Sequence, residues 1–344
     1  MQRYLGIDVH KASSTCVVMS ARGKRVSRDR VETNGQALVS YVKSLAGELS
    51  ICVEEGEWSE WLVEILSPHA CDVVVCRAEK RGGAKNDRID AGVLAERLRT
   101  ERVGVPVYKA PRKWAKLREL VRVYEKLTQD VVRAKLRLGG LLRRRAVSYV
   151  SAELYDSERR DVWIGKLPVA LRSSAELLGF ELDALDALCL EARRAMLEEA
   201  KRFPIAKILE TAPGIGPVRV AMLLATVITP QRFRTKRQFW SYCGLGVVTR
   251  TSSDWVQAES GWRRAPVIQT RGLNRNCNKR LKGIFKGAAT NALRHRAPSP
   301  MRAKYEQLLE AGTKPNLAKL TIARKIAATV LAMWKTQTRY QPMR

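Results

Sequence analysis

Apolar residues recur at Leu117, Leu120, Tyr124, Leu127, Val131, Ala134, Leu138 and Leu141, in alternating steps of three and four. Only a helix gathers such a series on one stripe, and more than three unbroken heptads predict a coiled-coil seam. A second helix repeats the pattern at Leu178, Leu182, Leu185, Cys189, Ala192 and Met196. The first arm is flanked by bases (Lys116, Arg118, Arg122, Lys126, Arg133, Lys135, Arg137), the second by acids (Glu176, Glu181, Asp183, Asp186, Glu191, Glu198). Opposite charge favours antiparallel pairing of the arms as well as assembly between chains. An internal helical hairpin fits the same pattern. The arms, over residues 109–203, separate an N-terminal segment, 1–108, from a C-terminal one, 204–344.

The N-terminal segment reads as strands and helices in alternation. Leu5, Ile7 and Val9 face one way and Tyr4, Gly6 and Asp8 the other, so Asp8 emerges opposite the buried side chains. Strands follow at residues 14–19 and 25–32, a helix at 37–45, and a strand ending Ile51-Cys52-Val53-Glu54. Strand parity sends Glu54 to the face away from Ile51 and Val53, where it meets Asp8 if the strands are neighbours. Glu55 and Glu57 crowd that position, and parity favours Glu54 over Glu55. After a helix at 59–66 and a strand at 72–76, Asp87 opens a helix running to about Arg99. The i,i+3 spacing puts Asp87 and Asp90 on one face of its first turn, where two carboxylates can share a metal ion or simply cap the helix. The order β-β-β-α-β-α-β followed by an acidic helix resembles the RNase H/RuvC-like nuclease fold, in which such acids hold paired Mg²⁺ ions.

Charge narrows the partner. With 63 Lys+Arg against 34 Asp+Glu, a net charge of +29, the chain binds a polyanion or suffers strong self-repulsion. Acids gathered where a nucleic acid sits would repel it unless they hold divalent cations. No uncharged stretch approaches the roughly 20 residues that span a bilayer, and the N-terminus enters a strand without an apolar leader. A cytoplasmic, nucleoid-associated protein with no membrane contact is expected. Seven cysteines without a CxxC pair argue against a disulfide framework or a zinc site.

The C-terminal segment carries the electrostatic platform. Pro213-Gly214-Ile215-Gly216-Pro217 before an apolar helix reads as a helix-hairpin-helix element, with Gly214 and Gly216 allowing backbone N–H groups to hold a phosphate. Arg250, Arg271, Arg275, Lys279, Arg280, Lys282 and Lys286 cluster around and after a polar turn at 246–255 that contains Ser252 and Ser253. Trp255 and Trp262 beside that turn are candidates to stack on unpaired bases. By chemistry alone a Ser-Ser pair is an ordinary turn, and the three histidines give no Ser-His-Asp arrangement.

In this order, LGIDVHK, VEEGEWSEWL, KNDRIDAGVLAERL, PGIGPVRVAMLLATV, FWSYCGLGVVTRTSSDW and TRGLNRNCNKRLKGIFKGAA resemble the DEDD insertion-sequence transposases, the family of RNA-guided (bridge RNA) recombinases. The resemblance implies an α/β plus α architecture: a RuvC-like mixed-sheet domain, central coiled-coil helices and a mostly helical transposase domain with a catalytic serine. Carried over, the acidic set is Asp8, Glu54, Asp87 and Asp90, holding Mg²⁺, and the nucleophile is Ser252. Ser253 stands where a glycine is frequent in the family and stays an alternative. Target and donor DNA, a noncoding guide RNA, and dimers pairing in a synaptic tetramer are the implied partners. The other readings are a RuvC-like Holliday-junction endonuclease using activated water and a non-catalytic architectural nucleic-acid binder.

Overall fold

The computed structural model describes residues 1–77, 87–104, 106–252, 255–258, 261–265, 268–294 and 298–342; for 87–90, 250–252, 258 and 268–271 it describes the backbone alone. The chain forms two compact units, Met1–Ala115 and Lys116–Arg344.

The first unit is built on β1 (Gln2–Val9), β2 (Ser13–Ser20), β3 (Arg25–Glu32), β4 (Glu48–Glu54) and β5 (Asp72–Cys76), with α1 (Gly35–Ser44), α2 (Ser59–Leu66) and α3 (Asp87–Arg99). The sheet order is β3-β2-β1-β4-β5. The first three strands form an antiparallel meander, and β4 and β5 run parallel to β1. Asn34 starts α1 by accepting the Ala37 N–H at 2.7 Å, the side-chain cap that Asn supplies well. One face of the sheet packs Leu5, Ile7, Cys16, Val18, Ile51 and Val53 against Leu38, Val42, Leu62 and Leu66 of α1 and α2. A fully buried leucine there contributes about 2 kcal/mol.

The opposite face is also covered. The sequence places Asp8 on an open side, but α3 packs across β1, β2 and β4 there, with Leu94 against Cys52 and Cys76. Gly6 makes the approach possible. A Cβ at that position would stand 2.0 Å from the Ala91 carbonyl oxygen and 2.6 Å from the Ala95 nitrogen. The C-terminal end of α3 reaches the β2–β3 turn, where the Arg99 guanidinium donates to the Ala21 carbonyl at 3.4 Å. The helix therefore runs antiparallel to β1.

The second unit begins with α4 (Ala115–Arg143), short helices α5 (Ser151–Leu154) and α6 (Asp161–Ile164), and α7 (Val169–Lys201). Lys116 pairs with Glu199 at 2.9 Å, Thr128 lies 3.6 Å from the Cys189 thiol, and Arg137 pairs with Glu181. Partner numbers fall on α7 as they rise on α4, so the two arms pair antiparallel within one chain. Of the seam, Leu117, Val131, Ala134, Leu138 and Leu141 are buried, and Leu120, Tyr124 and Leu127 half-buried.

Beyond the arms come α8 (Ile205–Leu209), α9 (Pro217–Val227), α10 (Lys236–Tyr242), strands β6 (Val247–Ser252), β7 (Trp255–Ala258), β8 (Gly261–Arg264) and β9 (Ile268–Leu273), then α11 (Lys279–Arg294), α12 (Pro300–Glu310) and α13 (Pro315–Thr336). Small buried residues on α13, Ala318, Ala323 and Ala327, let α10, α11 and α12 pack closely on it. No helix of the described residues is long and apolar enough to cross a membrane.

Candidate active site and nucleic-acid interface

Asp8, next to last in β1, and Glu54, last in β4, stand at the C-terminal ends of two neighbouring parallel strands. The last paired residues are Ile7 and Val53, so one more step sets Asp8 beside Glu54, on the face that α3 covers. Asp8 is 16% exposed, with the His10 Nε2 3.3 Å from its Oδ2. Sequence reasoning missed His10 as a neighbour of the acid; the signal was its place two residues on, the spacing that shares a strand face. Glu54 is exposed and lies across from Cys76 in the ladder. Glu55 turns elsewhere, toward Lys109 at 3.9 Å.

The side chains of Asp87 and Asp90 lie outside the described residues. The backbone of their turn is described. Ala91 abuts Gly6, and from there Asp8 is about 7 Å along the strand while Asp87 is about 6 Å back along the helix. Because α3 and β1 are antiparallel, these displacements run the same way. The acid-bearing turn stands at the level of Asp8. Among the described residues no three His, Cys, Asp or Glu side chains form a metal-binding group.

Ser252 is not in a turn, as the sequence reading has it. It ends β6, paired in backbone register with Ile268 of β9. The Ser252 side chain and all of Ser253 lie outside the described residues, as do the side chains of Arg250 and Arg271, which sit on β6 and β9. Beyond it, β7 and β8 form a hairpin in which Trp255 pairs with Arg264 and Gln257 with Trp262. Alternation puts all four on one face, with Trp255 56% and Trp262 67% exposed and the Arg264 guanidinium over the Trp255 ring at 5.7 Å.

A cleft of about 940 Å³ opens between α4, α7, α9 and α11, lined by Glu125, Arg193, Gly216, Arg219, Lys279 and Arg280 among others. Of the residues expected to bind phosphate, Gly216, Lys279 and Arg280 meet here. Gly214 does not line it. Its positive φ of 71° and an added Cβ's 2.1 Å approach to the Ala288 carbonyl oxygen show that it is glycine so that the hairpin can pack on α11. Lys282 packs by Gly244, and Arg275 and Lys286 are exposed. Arg193 and Arg219 were not singled out from sequence, because packing of α7 and α9 brings them in.

The electrostatics of the cleft are one-sided. Neither α9 nor α11 has an acid in its first turn, and α11 carries Lys279, Arg280 and Lys282 at its positive end. Cations there oppose the helix dipole, which only an anion relieves. Glu125 pairs with Arg280 and is the one acid among these lining residues. Two turns away along α4, burial and then the neighbouring Arg122 and Arg280 pull the Arg118 guanidinium below its ordinary value.

The first unit thus carries an acid-bearing sheet end and the second a cationic cleft. Residues 5–145 match the DEDD model of IS110 elements, described as Transposase. Residues 206–306 match the model described as Transposase IS116/IS110/IS902 family. The chain is 24% identical to the insertion element IS116 uncharacterized 44.8 kDa protein of Streptomyces clavuligerus, over 98% of this chain and 96% of the relative. It is 31% identical to the insertion element IS110 uncharacterized 43.6 kDa protein of Streptomyces coelicolor, over 44% of this chain and 34% of that one. These IS110/IS116 transposase domains support an insertion-sequence transposase.

Proposed function

We propose that the protein is an RNA-guided DNA recombinase of an insertion element, cutting and rejoining strands through a phosphoserine link on Ser252. The observation that carries the reading is the meeting of Asp8, Glu54 and the first turn of α3 at one end of the sheet. The strand order β3-β2-β1-β4-β5 with an acid-bearing helix supports an RNase H/RuvC-like fold for residues 1–108, followed by coiled-coil arms and a transposase domain.

Asp8, Glu54, Asp87 and Asp90 supply only hard oxygen donors, which suit Mg²⁺. Such ions, when bound, withdraw charge from phosphoryl oxygens and acidify a nearby hydroxyl. The chain's own part is orientation and charge. The Ser252 Oγ forms an ester bond to phosphorus as a deoxyribose oxygen leaves with the bonding pair, and the reverse attack reseals the strand. The cleft at α9 and α11 holds backbone without reading bases, so sequence choice falls to pairing between guide RNA and target or donor DNA. Exposed Leu177, Phe180 and Leu188 on α7 support dimers, which pair into a synaptic tetramer.

The test is to trap covalent adducts on labelled DNA with the protein purified alongside its co-purifying RNA. Ser252→Ala is expected to abolish the adduct and Asp8→Asn to suppress it strongly. Adduct persisting in Ser252→Ala but lost in Ser253→Ala moves the nucleophile by one residue. Cleavage by the wild type with no protein–DNA link would replace this reading with a junction nuclease.

A further inference from the structure

We propose that Arg28 and Arg30, on the edge strand β3, bind the sugar-phosphate backbone of the nucleic-acid strand that runs to the Asp8–Glu54 end of the sheet. The inference rests on the reading of that end as the cleavage site and names residues that position the substrate there.

The strand registers place both arginines. Asp8 pairs with Thr15 and Thr15 with Arg30, while Gly6 pairs with Val17 and Val17 with Arg28. Paired residues share a face, so Arg28 and Arg30 stand on the face of Gly6 and Asp8. Arg30 is level with the acid two strands away, about 10 Å at ordinary strand spacing. The residues between them, Thr15 and Val17, are buried, whereas Arg28 and Arg30 are exposed.

No acid among the described residues takes up their charge. Elsewhere guanidiniums are neutralised one turn away by acids, as in Arg99 with Glu96, Arg122 with Glu119, Arg133 with Asp130 and Arg194 with Glu191. Neither the Arg28 nor the Arg30 guanidinium has a hydrogen-bond or ion-pair partner among the described residues. Asp29 between them is turned to the other face, where it accepts the Tyr41 hydroxyl at 2.7 Å. Only Glu32, at the strand's end, shares their side.

A charged edge strand also guards against edge-to-edge pairing. That purpose does not require cations, nor does it require them on the acid-bearing face. A polyanion approaching Asp8 and Glu54 meets repulsion first, and two unneutralised guanidiniums at the same level offset it, each in contact with one phosphate.

The experiment measures binding of the full-length protein to a labelled duplex in EDTA across a range of KCl. Arg28→Ala and Arg30→Ala are each expected to lower the slope of log K against log salt by about 0.9, equally for unrelated sequences. Arg30→Lys should restore most of the slope, and Lys24→Ala, in the turn at the far end of β3, should leave it unchanged. A wild-type slope in both alanine variants, or an equal fall in Lys24→Ala, overturns the proposal. So does self-association of the variants at undiminished DNA affinity, which would make the arginines edge guards. Because no cleavage occurs in EDTA, this outcome is independent of the adduct assay, which tests the recombinase reading.

Discussion

Gly6→Ala tests the coupling of fold to site. The new methyl carbon would lie 2.0 Å from the Ala91 carbonyl oxygen and 2.6 Å from the Ala95 nitrogen, both backbone atoms that cannot rotate away. Clearing even the 3.0 Å below which such contacts essentially never occur requires α3 to retreat by about 1 Å, an overpacking that costs roughly 1–3 kcal/mol. For a unit of this size that is a fall in Tm of about 4–12 °C. The retreating helix carries Asp87 and Asp90, and a 1 Å misplacement costs about 100-fold in rate. Thermal unfolding by circular dichroism and the adduct-forming rate read the two effects. Gly92→Ala, on the same helix with nothing within 4 Å of its added carbon, is the control; it should be neutral or stabilising by about 0.5–1 kcal/mol. Wild-type Tm and rate in Gly6→Ala, or equal damage from Gly92→Ala, would refute the reasoning.

Glu199, 5% exposed, accepts from Lys116 at 2.9 Å and Arg202 at 3.2 Å. Burial alone would raise its pKa, but these two cations outweigh burial and hold it below the ordinary 4.5. The stability it contributes is complete above about 4.5 and lost as pH falls through the lower folded value. Glu199→Gln should cost about 1 kcal/mol at neutral pH in urea unfolding, and that difference should shrink in acid; a difference independent of pH would count against the ion pairs. On the β7–β8 face, Trp262→Ala should weaken single-stranded DNA or RNA by about 1–3 kcal/mol while sparing duplex, as fluorescence anisotropy would show. Equal losses for both would make Trp262 a packing residue.

The strands and helices of the first unit were legible because each is local and bounded by turns. Strand parity was enough to put Glu54 on the face of Asp8. The covering of that face was not legible from periodicity, although Gly6 opposite the small residues Ala91 and Ala95 is the trace it leaves in sequence. The segment around Ser252 misled in a physical way. Its Thr-Ser-Ser-Asp run reads as a turn, yet Val247, Val248, Thr249 and Thr251 are β-branched, and β9, which completes the ladder, lies some twenty residues on. The arms paired internally as their opposite charges favour, and the cleft was half visible because α11 is basic in one stretch. Arg193 and Arg219 come from other helices, and no local pattern points to them.

The cationic lining of the cleft bears on turnover. Guanidinium and ammonium groups keep their protons far above neutrality, so the grip on a polyanion has no built-in release at physiological pH. Letting go of a finished strand must come from outside the pocket, through ions that restore the displaced atmosphere or a second nucleic acid that displaces the first.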